Sequence, residues 1–564
     1  MCKLRPHHGK RSWLLGALLA SAVLGCAGRR DLHEASLPPL PSPALRRLPA
    51  LAVEPCPGKE RARVHASFTL ALPGTVAPEH APLPSTEAER HVFGNCYEPL
   101  VRITCDGDLE PALAKDWRAY DGARTWVFRL RDDARFWDGT PLGAVHVIEA
   151  WRRAEALCRL RGEPSPFIRF DPRSVALEVR GARELAVHLA APGGDLPWLL
   201  AHPALAVTGD LGPDGWLTGS GPYQPAPPAG DADCVLVPVA SHPAAASTPP
   251  VALLLGDRRD PREHLDLGAD AVLTRQRAVV EYYTGLGRHR VEPLPWDRTY
   301  YLVTPSEETG ASALDRRRWA TGWDRLELAR EVVTEAAEPA AFFGLEPQLA
   351  PCPVLPPPVQ VLAPPSLGDH GVLASRDTDL ILWPLSDPEA GRLAARLAAL
   401  AARPLRPGPE RPGLGPLTPP VPPQPGVAPE AVAVPAADLT AHIQAARAGA
   451  FILPWPQRWP LPCDDLARML SLADWLLAAG LSPGPDIRAV PPGATAARPV
   501  EDSEPPQALA VARRLERSQA VQPLLRTRAY LIRSPGLAGL RCSYDGTLRF
   551  WTAGWLVEPP PQQK

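Results

Sequence analysis

In residues 126–130 the apolar side chains Trp126, Phe128 and Leu130 alternate with Val127 and Arg129, the two-residue period of a half-buried strand. Asp138-Gly139 follows as turn chemistry. Thr140 can cap a helix whose first position is Pro141, where a missing N–H costs nothing. The period then changes. Ala144, Val147, Ile148, Trp151, Ala154 and Cys158 fall on one helical face, with Glu149, Arg152 and Arg153 away from it. The pattern predicts a strand, a turn and an amphipathic helix packed on a core. These residues build a fold rather than touch a ligand.

Elsewhere the same reading predicts a first strand over 64–72 and a hairpin from 174–179 and 184–189. A strand covers 235–237. A long helix over 314–335 carries Trp319, Trp323, Leu326 and Val333 on one face. A strand at 380–382 leads into a helix ending near 402. A helix over 438–449 gives way to Phe451-Ile452-Leu453 and a Trp/Pro-rich turn. Residues 403–430 hold too many prolines for a central strand or helix, and 482–504 reads as a further loop. No internal repeat is visible.

The order of signals between Asn95 and Ala154 resembles one family. Tyr97-Glu98-Pro99-Leu100-Val101 is followed by Leu109-Glu110-Pro111-Ala112-Leu113-Ala114 and Trp117. Thr125-Trp126, Phe136 and Asp138-Gly139-Thr140-Pro141 complete the series. This is similar to the extracellular solute-binding proteins of family 5, which serve ABC importers of peptides, nickel and related solutes. Gly219-Ser220-Gly221-Pro222-Tyr223 resembles the family's turn back into the first lobe, and Trp296 to Val303 its crossing between lobes. There the family continues to an Asn; Thr304-Pro305 stand here. Trp323-Asp324-Arg325 with Leu328-Ala329, and the closing stretch with Ala538-Gly539-Leu540 and Phe550-Trp551, add thinner matches.

The resemblance implies an α/β, two-lobed periplasmic-binding-protein-like (type II) fold whose first lobe holds an inserted subdomain. Lobe I would span 61–296, with the insertion at about 85–210. Lobe II would span 297–519, including the Pro-rich insert 403–430 and the loop 482–504. Residues 520–556 would return to lobe I, and 557–564 form a tail.

The N-terminus changes the picture. Lys3, Arg5, Lys10 and Arg11 precede an apolar run ending at Leu24, then Gly25-Cys26. This layout is a signal peptide, residues 1–25, and Val23-Leu24-Gly25-Cys26 resembles a lipobox with Cys26 as the lipidated residue. Residues 26–60 then read as a flexible Pro-rich tether. Acyl chains hold such a protein on a membrane at about 0.8 kcal/mol per buried methylene. The expected location is the periplasmic side of the cell envelope, lipid-anchored. Removing the signal's four basic residues leaves 56 Lys and Arg against 62 Asp and Glu. That balance offers no footprint for nucleic acid. Eight cysteines remain beyond Cys2 and Cys26, an even number that permits disulfides in an exported chain. Cys96 and Cys105 flank a predicted strand, but the sequence fixes no pairing.

Enzyme signals are missing. Gly219-Ser220-Gly221 is no nucleophile elbow, and no phosphate loop, His-Glu-x-x-His or dinucleotide fingerprint occurs. No Cys/His spacing suggests zinc. Catalysis, metal and cofactor are therefore not expected, and the resemblance implies a chain that binds a small solute or peptide and delivers it to an ABC permease and ATPase. The alternative is a non-transporting descendant acting as an envelope scaffold, sensor or interaction protein.

Candidate ligand residues cluster late in the chain. Trp455 and Trp459 can stack on a ligand or pack under the turn, and Arg458 can take a carboxylate. Asp464 and Asp465 can pair an ammonium group or stabilise the start of the next helix through its dipole, the latter role standing ahead. Tyr223, Tyr282, Tyr300 and Trp383 lie near predicted strand ends and crossings.

Overall fold

The computed structural model describes residues 56–557, except for 306–322, 341–376, 403–428, 457–461, 477–506 and a few shorter stretches. The predicted signal, Cys26, most of the tether, the Pro-rich insert up to residue 428 and the loop over 482–504 lie outside the described residues, while Glu430, expected to end the insert, already begins a strand.

Two sheets carry the architecture. The first has seven strands in the order Arg290–Pro293, Tyr530–Arg533, Ala271–Thr274, Phe68–Leu72, Val251–Leu255, Cys234–Pro238, Tyr223–Ala226. Phe68–Leu72 sits at its centre, parallel to both neighbours. That placement explains its nearly unbroken apolar run, because a strand covered on both faces has no polar side. The second sheet has six strands in the order Ala337–Pro339, Val521–Thr527, Arg298–Val303, Ala448–Pro456, Asp377–Pro384, Glu430–Val434. Between the first helix, Glu87–Cys96, and the edge strand Tyr223–Ala226 lies a four-stranded antiparallel sheet, Ala114–Tyr120, Thr125–Leu130, Glu184–His188, Leu177–Gly181. The helix Ala144–Arg161 packs with it through Trp151, wholly buried, whose indole N–H donates to the Leu205 carbonyl at 2.9 Å.

Two short segments cross between the large sheets. Residues 294–297 join Arg290–Pro293 to Arg298–Val303, and Arg528-Ala529 joins Val521–Thr527 to Tyr530–Arg533. Two sheets with two crossings, and a third sheet inserted in the first lobe, make the two-lobed fold that the sequence implied. One apolar cluster runs from Trp126 and Phe128 of the inserted sheet and Trp151 of its helix to Tyr301, Phe451 and Trp455 of the six-stranded sheet.

Several elements differ from the sequence reading. The helix after the Asp138 turn begins at Ala144, not at Pro141. Phe136 N–H donates to Thr140 O, Thr140 N–H to the Asp138 carboxylate and Leu142 N–H to Ala134 O, so a closed loop consumes these backbone groups first. The first strand starts at Phe68, while Val64 pairs singly with Trp555. The helix expected over 314–335 leaves its first part outside the described residues. Its remainder is one turn, Arg325–Glu327, and a wide turn, Leu328–Val332, ending before Val333. Arg277 draws the Ala329, Arg330 and Val333 carbonyls onto its guanidinium, which stops the helix there. The helix expected to reach residue 449 ends at Gln444, because Ala446 turns with φ +47° and Ala448 already enters the six-stranded sheet. Trp455-Pro456 belongs to that strand rather than to a turn.

Cys105 pairs with Cys56, across 49 residues. The predicted tether is thereby fastened to the body before residue 60. Cys96 is a buried thiol.

Candidate functional site

The segment 294–297 brings charge to the joint between the lobes. Asp297 accepts two hydrogen bonds from Arg275, at 2.9 and 2.5 Å, and lies 3.0 Å from Arg90. Arg275 turns its other edge to Glu87, at 2.8 and 2.9 Å, and Arg90 also reaches Glu87 at 2.9 Å. Four buried charges thus cancel in pairs. Burial pushes the Glu87 and Asp297 carboxyls up, but Arg275 and Arg90 outweigh it and hold both below the usual carboxylate range. His91, behind this cluster, is pushed down to about 3 by burial and by Arg90. It stays neutral and accepts the Leu548 N–H on Nδ1 at 3.0 Å.

The bracket continues into the second lobe. Arg277 N–H donates to Thr334 O, Ala336 N–H to Arg275 O, and Gln276 bridges Glu335. Glu389 accepts from the Thr334 backbone and hydroxyl at 2.9 and 2.6 Å. Trp296 lies under the guanidinium groups of Arg526 and Arg528, at 4.5 and 4.0 Å, which ties the two crossing segments together.

Beside this joint is a cavity of about 40 Å³. Its walls come from three places: the first helix (Arg90, Phe93), the inserted subdomain (Arg102, Ala201) and the closing segment (Asp545, Trp551). Tyr97 at the helix end also lines it, stacked on Trp137 with centroids 5.7 Å apart. The cavity volume matches about one water's share of liquid volume, roughly 30 Å³, or the head of a small solute. Glu98, the residue after Tyr97, is buried and gathers Arg131 at 2.8 Å and Arg102 at 3.4 Å. Burial pushes its carboxyl up, but Arg131, a His242 hydrogen bond and Arg102 hold it well below the usual range. Glu98 therefore remains charged and fastens the inserted sheet to the first lobe. Among the described residues, no group of three His, Cys, Asp or Glu side chains is placed to hold a metal ion.

Of the residues singled out from the sequence, the structure brings Trp455 and Asp465 together and leaves Tyr223, Tyr282, Tyr300 and Trp383 apart from them. Arg458 and Trp459 lie outside the described residues. Trp455 is buried in the six-stranded sheet, where its indole N–H donates to Asp465 at 3.2 Å. Asp464 and Asp465 are both buried in the first turn of the helix Pro462–Ser471. Burial pushes the Asp465 carboxyl well up against the opposing charge of Arg468. Tyr223 is enclosed, its hydroxyl donating to Pro249 O at 2.7 Å, and Tyr300 is enclosed with its hydroxyl on Asp387 at 3.2 Å. Trp383 packs on the helix Pro388–Ala401, so closely that a Cβ on Gly391 would come within 2.8 Å of its ring. Tyr282 is exposed, beneath the Arg262 guanidinium at 5.7 Å. The residues that do converge, Arg90, Arg102, Arg275 and Asp297, were not singled out. Their sequence signal is slight: charged residues beside apolar runs, with partners distant in the chain.

Two lobes joined by two crossings define a two-lobed, periplasmic-binding-protein-like fold. Residues 108–229 match the sequence model of the bacterial extracellular solute-binding proteins, family 5 Middle. Over that stretch the chain is similar to that family. It is 38% identical over 93 residues to the nickel-binding periplasmic protein of Escherichia coli, covering 16% of this chain and 18% of that one. It is 37% identical over 65 residues to the periplasmic murein peptide-binding protein MppA of the same organism, 12% of each chain. The chain thus aligns with under a fifth of the length of these relatives. The folds agree much further. The structure of the Escherichia coli murein tripeptide binding protein MppA superposes with a TM-score of 0.61 at 15% identity, over 88% of this chain and 100% of that one. NikA from Brucella suis, in complex with Fe(III)-EDTA, gives 0.56 at 16% identity, over 87% and 99%.

Proposed function

We propose that this protein is the substrate-binding component of an ABC importer, held on the envelope by a lipid at Cys26, and that it captures a peptide or peptide-like solute. The observation that carries this reading is the fold: two large sheets joined by two short crossings, with a third sheet inserted in the first lobe. Lobe closure over a solute is a hinge motion about such crossings, and the captured solute passes to a permease and ATPase without covalent change. Relatives named for nickel, murein peptide and oligopeptide binding support the solute class.

A second reading, an envelope scaffold or interaction protein descended from the same fold, is favoured by one feature. The cavity is about 40 Å³, far below the roughly 300–1,000 Å³ of ordinary small-molecule pockets. Mass spectrometry of small molecules released by denaturing the protein, purified from its own envelope, separates the two. A released solute at near-stoichiometric amount supports capture. If no solute is released and di-, oligopeptide and nickel panels give no thermal shift, the scaffold reading stands instead.

A further inference from the structure

One carboxyl at the joint between the lobes has no guanidinium to itself. Glu335 lies in the segment 334–336 of the second lobe, which faces residues 275–277 of the first, and its backbone bridges that of Gln276. Its side chain is 13% exposed, and its Oε2 is buried with no hydrogen-bond partner among the described residues. Arg298, which opens the strand after the first crossing, stands 3.6 Å away. That guanidinium is shared: it also meets Asp387 at 3.5 Å and the Tyr300 hydroxyl at 3.3 Å. Arg275 acts on Glu335 too, but its four hydrogen bonds go to Glu87 and Asp297, where Arg90 is also engaged. The other charges around the segment are spoken for. Glu389 pairs with Arg392 and Arg526 with Glu338, Arg277 lies on the Ala329, Arg330 and Val333 carbonyls, and Arg528 lies over Trp296.

We propose that Glu335 is a proton-operated latch between the lobes: the bracket of 275–277 on 334–336 is tight while this carboxyl is neutral and loosens when it is ionised. An ionised Glu335 is a buried charge holding only part of one partner, which is a costly arrangement. One bound proton removes that charge. The segment then rests on its two backbone bonds, Arg277 N–H to Thr334 O at 3.0 Å and Ala336 N–H to Arg275 O at 2.8 Å. Burial, with Asp387 added, pushes the Glu335 carboxyl above its ordinary value, against Arg298, Arg275 and the Thr527 hydroxyl, which favour the charged form. Arg298 begins the strand after one crossing and Thr527 ends the strand before the other, so the charge on Glu335 is felt at both. Closing the bracket takes up a proton. Its tightness is therefore greatest at low pH and is lost as pH rises through the value Glu335 has in the closed joint.

The test is hydrogen exchange of the full chain between pH 5 and 8, corrected for the intrinsic pH dependence of exchange and read at the Arg277 and Ala336 amides. Over that range Glu87 and Asp297 stay ionised and His91 stays neutral. Protection of the two amides should fall at least about threefold from pH 5 to pH 8, with the amides of the central strand Phe68–Leu72 unchanged. Glu335→Gln, which fixes the neutral shape, should abolish this pH dependence and hold protection at the native low-pH level. Asp387→Asn keeps a side-chain oxygen for the Ala390 N–H and leaves Arg298 to Glu335, so it should move the midpoint to lower pH. Should Glu335→Gln fail to fold, carbon-13 labelling of the glutamate carboxyls takes its place: one resonance should titrate above 4.5 and move to lower pH in Asp387→Asn. Protection independent of pH in the unaltered chain, protection in Glu335→Gln below the native value at every pH, or no carboxyl that behaves in this way would each overturn the proposal. None of these outcomes involves a solute, so solute capture stands or falls separately.

Discussion

Arg275 offers the sharpest perturbation of the joint between the lobes. It donates four hydrogen bonds to two carboxylates, Glu87 and Asp297, and is 8% exposed. Charge-assisted bonds of this kind are each worth roughly 1.5–3 kcal/mol, so the gross attraction is about 6–12 kcal/mol. Most of that is offset by the cost of taking three or more ions out of water. What a substitution exposes is the remainder. Arg275→Met leaves two buried carboxylates facing one guanidinium, Arg90, and breaking a buried pair in this way costs about 3–5 kcal/mol. Adding Asp297→Asn removes the orphaned charge, so the double variant should be no less stable than Arg275→Met alone, a coupling within the roughly 0.5–3 kcal/mol seen for residues in contact.

Urea unfolding followed by both far-ultraviolet circular dichroism and tryptophan emission measures these values, two probes being needed because lobed proteins can unfold in steps. Hydrogen exchange adds a local reading. The Ala336 N–H, bonded to the Arg275 carbonyl, and the Arg277 N–H, bonded to Thr334 O, should lose protection in Arg275→Met before the amides of the central strand Phe68–Leu72 do. A cost under about 1 kcal/mol, or strictly additive single and double variants, would refute the view that this cluster binds the lobes together.

His91 predicts an acid-sensitive step. Its folded value is down at about 3 against 6.5 when free, so between those values the unfolded chain binds the extra proton and stability falls as pH falls, by up to about 1.4 kcal/mol per pH unit. His91→Gln should remove one proton's worth of that slope between pH 6.5 and 5, above the range where Glu87 and Asp297 titrate; an unchanged slope in urea midpoints would refute this. Trp455→Ala should cost about 3–5 kcal/mol, since it empties a buried site and leaves Asp465 without its donor. Solute retained at native levels in the surviving folded fraction would confirm that Trp455 packs rather than binds. Replacing Cys56 and Cys105 together by Ser should lower stability by about 4 kcal/mol, from the 49 residues the bond closes, and a urea midpoint unmoved by the double substitution would contradict it.

How far the sequence reached can be judged element by element. Local patterns were enough for the strand Thr125–Leu130, the hairpin of Leu177–Gly181 with Glu184–His188, and the strand and helix Asp377–Pro384 and Pro388–Ala401. In each, alternation or a helical stripe states which face is buried, and burial is what holds the element. Where local pattern misled, a distant group had intervened. The helix near 328–332 stops because Arg277, some fifty residues earlier, takes its carbonyls. The helix expected to reach residue 449 stops early because the six-stranded sheet claims Ala448 onward.

The candidate site shows the same division more sharply. Trp455 drew attention as an aromatic that could stack on a ligand or pack under a turn and Asp465 as an acid that could pair an ammonium or start a helix, and the fold sets the indole N–H on the carboxylate. Arg90, Arg102 and Arg275 drew none, because a charge pattern along the chain does not say which charges will be buried. By itself the sequence determined a resemblance to one family, the two-lobed α/β architecture that resemblance implies and the elements whose stability comes from their own apolar faces, since periodicity is a local property. Only the tertiary structure decided which ions are buried together, which polar group is left without a partner and where a cavity opens. Those depend on groups that the chain brings within a few ångströms from hundreds of residues apart.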